Sequence, residues 1–125
     1  MENAELTHKV IGCAFSVHNF LGNGFQELIY HRALAVEFRH QGIVFESEKE
    51  MKIFYREELV GVRRVDFWIE NQLMLEIKAV SLLENVHLAQ AMNYLEAYQV
   101  YLGLLINFGG KSVEWKRVYN NKIIK

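Results

Sequence analysis

Proline is absent from this 125-residue chain, cysteine occurs once and aspartate occurs once. With no proline, no low-complexity run and no internal repeat, nothing marks a linker between modules. Residues 1–125 are therefore expected to form a single domain, a common size for one hydrophobic core. The lone Cys13 cannot close an internal disulfide, and no His/Cys spacing suits zinc. No apolar run reaches the ~18 residues that a membrane helix needs. The opening MENAELTHKV lacks the basic-then-apolar order of a signal peptide. These absences point to a reducing, cytoplasmic setting with no membrane partner.

An excess of positive charge is also lacking. The formal net charge is -1, whereas strong nucleic-acid binders usually carry a basic surplus. The distribution is uneven, however. Lys111, Lys116, Arg117, Lys122 and Lys125 face only Glu114 after residue 100. Such a basic end can meet phosphates, or simply be a solvated last strand.

Hydrophobic residues, in contrast, make up 51% of the chain, and their spacing carries the fold. Leu6, Val10, Cys13, Ala14 and Val17 form a helical stripe over 5–20. The turn Leu21-Gly22-Asn23-Gly24 precedes a second helix over 25–41, with Asn23 and Gln26 as its capping pair and Gly42 as its stop. From Val44 the period becomes two, which predicts strands over 44–55, 59–69 and 73–80. A helix over 85–99, an apolar strand over 100–108 and a last strand over 113–119 follow. The order ααβββαββ predicts an α/β fold: a mixed sheet flanked by helices.

Three charges interrupt apolar strands. Asp66 stands between Val65 and Phe67-Trp68, with Arg63 and Arg64 as candidate partners. Glu76 and Lys78, two apart in Leu73–Val80, point to one face. They are either a cross-strand ion pair or a reactive cluster, and the hairpin turn decides. A three-residue loop at 70–72 sets Asp66 opposite Glu76, and a loop at 71–73 sets it opposite Lys78. A two-residue loop at 71–72 puts the two carboxylates on opposite faces. Two carboxylates held close repel each other unless a cation stands between them.

Asp66 followed by Glu76-Ile77-Lys78 resembles the D…(E)xK core of the PD-(D/E)XK nuclease superfamily. The chain looks more specifically like the bacterial family with a GxxExxY signature, which here reads Gly24-Phe25-Gln26-Glu27-Leu28-Ile29-Tyr30. Arg64-Val65-Asp66, His87-Leu88-Ala89-Gln90 and Gly103-Leu104-Leu105-Ile106-Asn107-Phe108-Gly109 extend the resemblance over about residues 5–119. Asn23 departs from it, since relatives often carry proline before the glycine.

The resemblance implies a restriction-endonuclease-like sheet and a metal-dependent phosphodiesterase acting on DNA or RNA. Asp66, Glu76 and the carbonyl of Ile77 would bind Mg2+, or Mn2+, with Glu27 as an outer ligand. Lys78 would act on the attacking water, and Gln90 would contact a phosphate oxygen. Tyr30, His87 and Arg64 are accessory candidates. His8, His31 and His40 read as surface residues, and His18 as a satisfied buried one. Two other readings remain: a catalytically weak nucleic-acid-binding module, which fits the acidic main body, or a plain interaction protein in which the charges are hairpin ion pairs. Tyr98, Tyr101 and Trp115 could then form a homodimer patch.

Overall fold

A computed structural model describes residues 3–123. Helices α1 (Asn3–Leu21) and α2 (Glu27–His40) lead into strands β1 (Phe45–Tyr55), β2 (Glu58–Ile69) and β3 (Leu73–Lys78). Helix α3 (Asn85–Tyr98) crosses over to β4 (Leu102–Asn107), and β5 (Glu114–Tyr119) closes the chain. The sheet order is β1-β2-β3-β4-β5. Only β3 and β4 run parallel; the other neighbours are antiparallel. This is the expected mixed sheet with helices against it, in the expected order. A parallel step needs a crossover, and α3 supplies it.

The helices form where apolar residues recur at helical spacing. Leu6, Val10, Ala14 and Val17 of α1 pack with Leu34 and Phe38 of α2 into one core. Gly42 adopts φ 69° just past α2, the left-handed stop expected there. The helix start differs from expectation. The N-cap of α2 is Gln26, not Asn23, and its side chain makes no capping bond. Instead Tyr30 organises the turn: its hydroxyl donates to the Gly22 carbonyl and accepts from the Phe25 amide. The Tyr30 hydroxyl thus ties the turn before the helix to the first turns of α2.

Strand β2 changes sides partway. Val65 and Phe67 are two apart and should share a face. Yet Phe67 belongs to the core under α1 and α2, while Val65 packs with Ala91 and Leu95 of α3. Across the ladder, Ser47 pairs with Phe67 and Lys49 with Val65. Glu48, between them, holds a positive φ of 53°. Glu48 and Asp66 drop out of the pairing between them while the register on either side is unchanged. Asp66 therefore sits on the seam between two cores.

Beyond the seam, β1 and β2 continue as a two-stranded ribbon. β3 pairs with β2 only from Phe67 to Ile69. Phe54, Leu59, Val60 and Val62 of the ribbon are exposed.

Candidate active site

The turn between β2 and β3 comprises Glu70, Asn71 and Gln72, since Ile69 pairs with Leu73, Trp68 with Met74 and Phe67 with Leu75. The loop is odd, so the next position in register sets Asp66 opposite Glu76. Glu70 and Asn71 take positive φ values of 51° and 56°, and the Glu70 carboxylate accepts from the Val44 amide at 2.6 Å. The turn that sets the register is thereby tied to the residue just before β1.

The ladder stops at Asp66. Its Oδ2 accepts from the amide of Ile77 at 2.8 Å. A side chain has replaced the strand as backbone partner, which fixes the carboxylate against β3. Glu76 beside it is 4% exposed. Burial first, then a hydrogen bond with Asp66 and its nearby charge, push the Glu76 carboxyl up to about 9. Burial disfavours the charged form of Glu76, and a second carboxylate beside it disfavours that form further. Arg63 and Lys78 oppose that shift.

Arg63, offered by the sequence as a partner for Asp66, lies on Glu76 instead. Its Nη2 is 3.4 Å from Oε1 and 3.5 Å from Oε2 of Glu76. Its guanidinium stands 4.1 Å from the centre of the Tyr94 ring. Its Nε is buried and finds no partner among the described residues. Arg64 points elsewhere; it is exposed and pairs across the ladder with Glu50.

Arg63, Glu76, Lys78, His87, Gln90 and Tyr94 line one narrow cleft under α3. The first turn of α3 positions two of them. Glu84 and His87 make a reciprocal capping box, in which His87 Nδ1 accepts from the Glu84 amide at 2.9 Å. His87 is thus engaged in starting the helix that presents Gln90, an exposed residue one turn on.

Helix α2 brings Glu27 to the other side. Its carboxyl is raised, by desolvation first and then by the charge of Asp66, while Lys78 and Arg63 act against the rise. Glu27 therefore lies within electrostatic reach of the whole cluster. Among the described residues, however, no three His, Cys, Asp or Glu side chains converge tightly enough to hold a metal ion. Tyr30, on the same helix, is fully buried, and its ring stacks on Phe108 at 4.7 Å. Its contacts are with the turn before α2 rather than with the carboxylates.

His31 is the residue that the sequence missed. Far from lying on the surface, its side chain is 12% exposed and its Nδ1 is 3.8 Å from Asp66 Oδ1. Its Nε2 is 2.7 Å from Ser47 Oγ, and its ring packs on Phe67 at 4.3 Å. The available signal was its spacing: His31 is four residues after Glu27, hence on the same helix face. His18 does behave as expected, buried and 2.9 Å from the Gly110 carbonyl. Cys13 is a core residue whose thiol is pushed up to about 11, mainly by burial.

A buried amide braces the floor. Asn107 Oδ1 accepts from the amides of Val80 and Gly109, and its Nδ2 donates to the Val80 carbonyl and to Glu114. These bonds hold the segment that leaves Lys78. Gly109 packs so closely on the Val80 backbone that no Cβ fits there.

The residues present fit a magnesium ion better than a zinc ion. Two neighbouring carboxyl groups are oxygen donors, which suit a hard cation that keeps several waters. A closed cage of nitrogen or sulfur ligands is absent from the described residues. No described helix is long and apolar enough to cross a membrane.

Comparison with known proteins agrees with this geometry. A family model described as the PD-(D/E)XK nuclease superfamily matches residues 4–118. No curated protein matches the chain. Among solved structures, the crystal structure of SSO0001 superposes with a TM-score of 0.59 at 20% identity, covering 74% of this chain and 49% of that one. The chain thus spans about half the length of that protein.

Proposed function

The chain belongs to the PD-(D/E)XK nuclease superfamily, and on that premise we propose that it is a divalent-metal-dependent phosphodiesterase acting on nucleic acid. One observation carries the reading: Asp66 and Glu76 are brought face to face by a three-residue turn, with Glu76 buried and its carboxyl raised. A fold pays for such a juxtaposition in stability, and a cation would relieve it.

In this reading Asp66, Glu76 and the Ile77 carbonyl hold Mg2+ or Mn2+. The ion supplies water activation and charge neutralisation at the phosphate. Lys78, on the same strand face as Glu76, orients the attacking water and offsets developing negative charge. The Asp66 contact with the Ile77 amide keeps the carboxylate aimed before any ligand arrives. Gln90, at the mouth of the cleft, contacts a phosphate oxygen. Glu27 acts from outside the first ring of ligands, by electrostatics or through water. Placement in the GxxExxY family belongs to the same proposal, supported by Gly24, Glu27 and Tyr30 at one helix start. So does an intracellular setting.

Calorimetric titration of Mg2+ and Mn2+ into the wild type and Asp66→Ala tests the proposal, followed by digestion of labelled DNA and RNA. Binding and cleavage that vanish together in Asp66→Ala, with cleavage also lost in Lys78→Ala, are expected. Cleavage that survives both substitutions would refute the assignment.

A further inference from the structure

A second concavity lies beside the cleft on the α3 side of the sheet. It is about 450 Å³ in volume, and its walls include Met51, Trp68, Tyr98 and Tyr101, with Lys49 and Asn71 at the rim. We propose that this cavity is a nucleobase pocket, and therefore that the site takes unpaired, single-stranded nucleic acid. The inference rests on the phosphodiesterase reading for its location, and adds the substrate class.

Four observations converge on that ligand. First, the walls are aromatic and partly exposed, so flat faces are presented to an open space. Bases of any identity stack on such faces. Second, Lys49 lines the cavity, its ammonium 5.8 Å from the Trp68 ring centre and 3.4 Å from Glu46 Oε2, so a phosphate there would compete with Glu46 for it. Third, the Tyr98 hydroxyl is buried and has no hydrogen-bond partner among the described residues. It is a polar group whose burial is uncompensated. Fourth, Tyr98 belongs to both regions. It lines the cavity, its ring stacks with Tyr94 at 6.3 Å, and its hydroxyl feels Arg63 and Glu76. Tyr94 in turn lies under Arg63. Tyr98, Tyr94 and Arg63 thus link the cavity to the cleft that holds Glu76.

Duplex fits these surfaces poorly. Its bases are already stacked and its two backbones call for a broad basic track. The chain carries a net charge of -1. Its proposed affinity for nucleic acid must come from stacking as well as from charge.

The experiment uses Trp115→Phe, so that Trp68 is the sole tryptophan, in EDTA to prevent cleavage. Three probes of about twenty nucleotides are titrated: oligothymidylate, its duplex with oligoadenylate, which stays paired at that length, and an abasic strand of equal charge. Quenching of Trp68 by oligothymidylate is expected, with affinity about tenfold above duplex and abasic strand. Tyr101→Leu should remove most of that preference; the wild-type comparison stands even if this variant folds poorly. Equal binding of the three probes, or an unquenched Trp68, overturns the pocket. Because no metal is present, the two proposals fail separately. Cleavage of duplex without base preference retains the phosphodiesterase and discards the pocket. Base-dependent binding with no hydrolysis under Mg2+ or Mn2+ does the reverse.

Discussion

Asp66 comes opposite Glu76 across the β2–β3 hairpin, where burial first and then the neighbouring Asp66 push the Glu76 carboxyl up to about 9. Turn length sets that neighbourhood. One residue fewer between Ile69 and Leu73 would have put the carboxyls on opposite sides of the sheet. The raised carboxyl also makes the site's charge depend on what is bound there.

Cation binding should therefore release a proton. Metal ligation needs the ionised carboxylate. Below the raised Glu76 value of about 9, loading the site with Mn2+ displaces that proton. Titrations at pH 7 in buffers of different ionisation enthalpy are expected to show release of roughly one proton per ion. Affinity should strengthen as pH rises towards 9. A binding enthalpy indifferent to the buffer would contradict a raised Glu76 carboxyl.

The same proton sets a stability slope. The folded Glu76 carboxyl is raised, so above the ordinary carboxylate value of about 4.3 the unfolded chain has released a proton that the folded one retains. Folding stability should then fall as pH rises through this window, by up to about 1.4 kcal/mol per pH unit from this group. Glu76→Gln removes the effect. At pH 8 the variant is expected to melt higher than the wild type, while losing cation binding. Thermal melts from pH 5 to about 9 read both quantities. Parallel curves for the two proteins would show that Glu76 is not the source.

Tyr30→Phe deletes the hydroxyl that joins Gly22 to Phe25 and leaves the ring on Phe108. A loss of about 1–2 kcal/mol in urea denaturation is expected, since the Gly22 carbonyl and Phe25 amide both lose a partner. Cation affinity should move little, because the ring's contacts are with the helix start. A stability change under a few tenths of a kcal/mol would mean that water replaces the hydroxyl fully.

Gly109→Ala should be far more damaging than an ordinary loop substitution. The added Cβ meets the backbone nitrogen and carbonyl of Val80, which no rotamer change can move aside. Destabilisation above about 3 kcal/mol, or failure to accumulate as folded protein, is expected. A near-native melting temperature would show that the segment after β3 is freer to shift than its Asn107 bonds imply.

Much of this was legible before folding, and the limits have physical reasons. Period-two and helical spacing located every element from α1 to β5, because burial follows spacing so directly. Odd loop parity was the condition for bringing Asp66 and Glu76 together, and the turn meets it. The face change at Asp66 was not legible. It comes where Glu48 adopts φ 53°, which no pattern of apolar residues announces. His31 was read as a surface residue because histidine is amphipathic and its neighbours are mixed. Its place beside Asp66 follows from how α2 lies on the sheet, a tertiary fact. Arg63 and Arg64 are adjacent, so choosing which one reaches the carboxylates also required knowing that β2 changes faces. Tyr98 and Tyr101, expected as an exposed patch, are half-buried cavity walls.

The change of face along β2 has a mechanical consequence. One continuous strand anchors Phe67 in the core beneath α1 and α2 and Val65 in the core beneath α3. Neither half can loosen without pulling on the residue between them. Amides on both sides of Asp66 are therefore expected to exchange with solvent through one common opening, as a single cooperative unit. The Asp66 side chain is a rivet between the layers, and anything that clamps it, such as the proposed ion, should slow the breathing of both layers together.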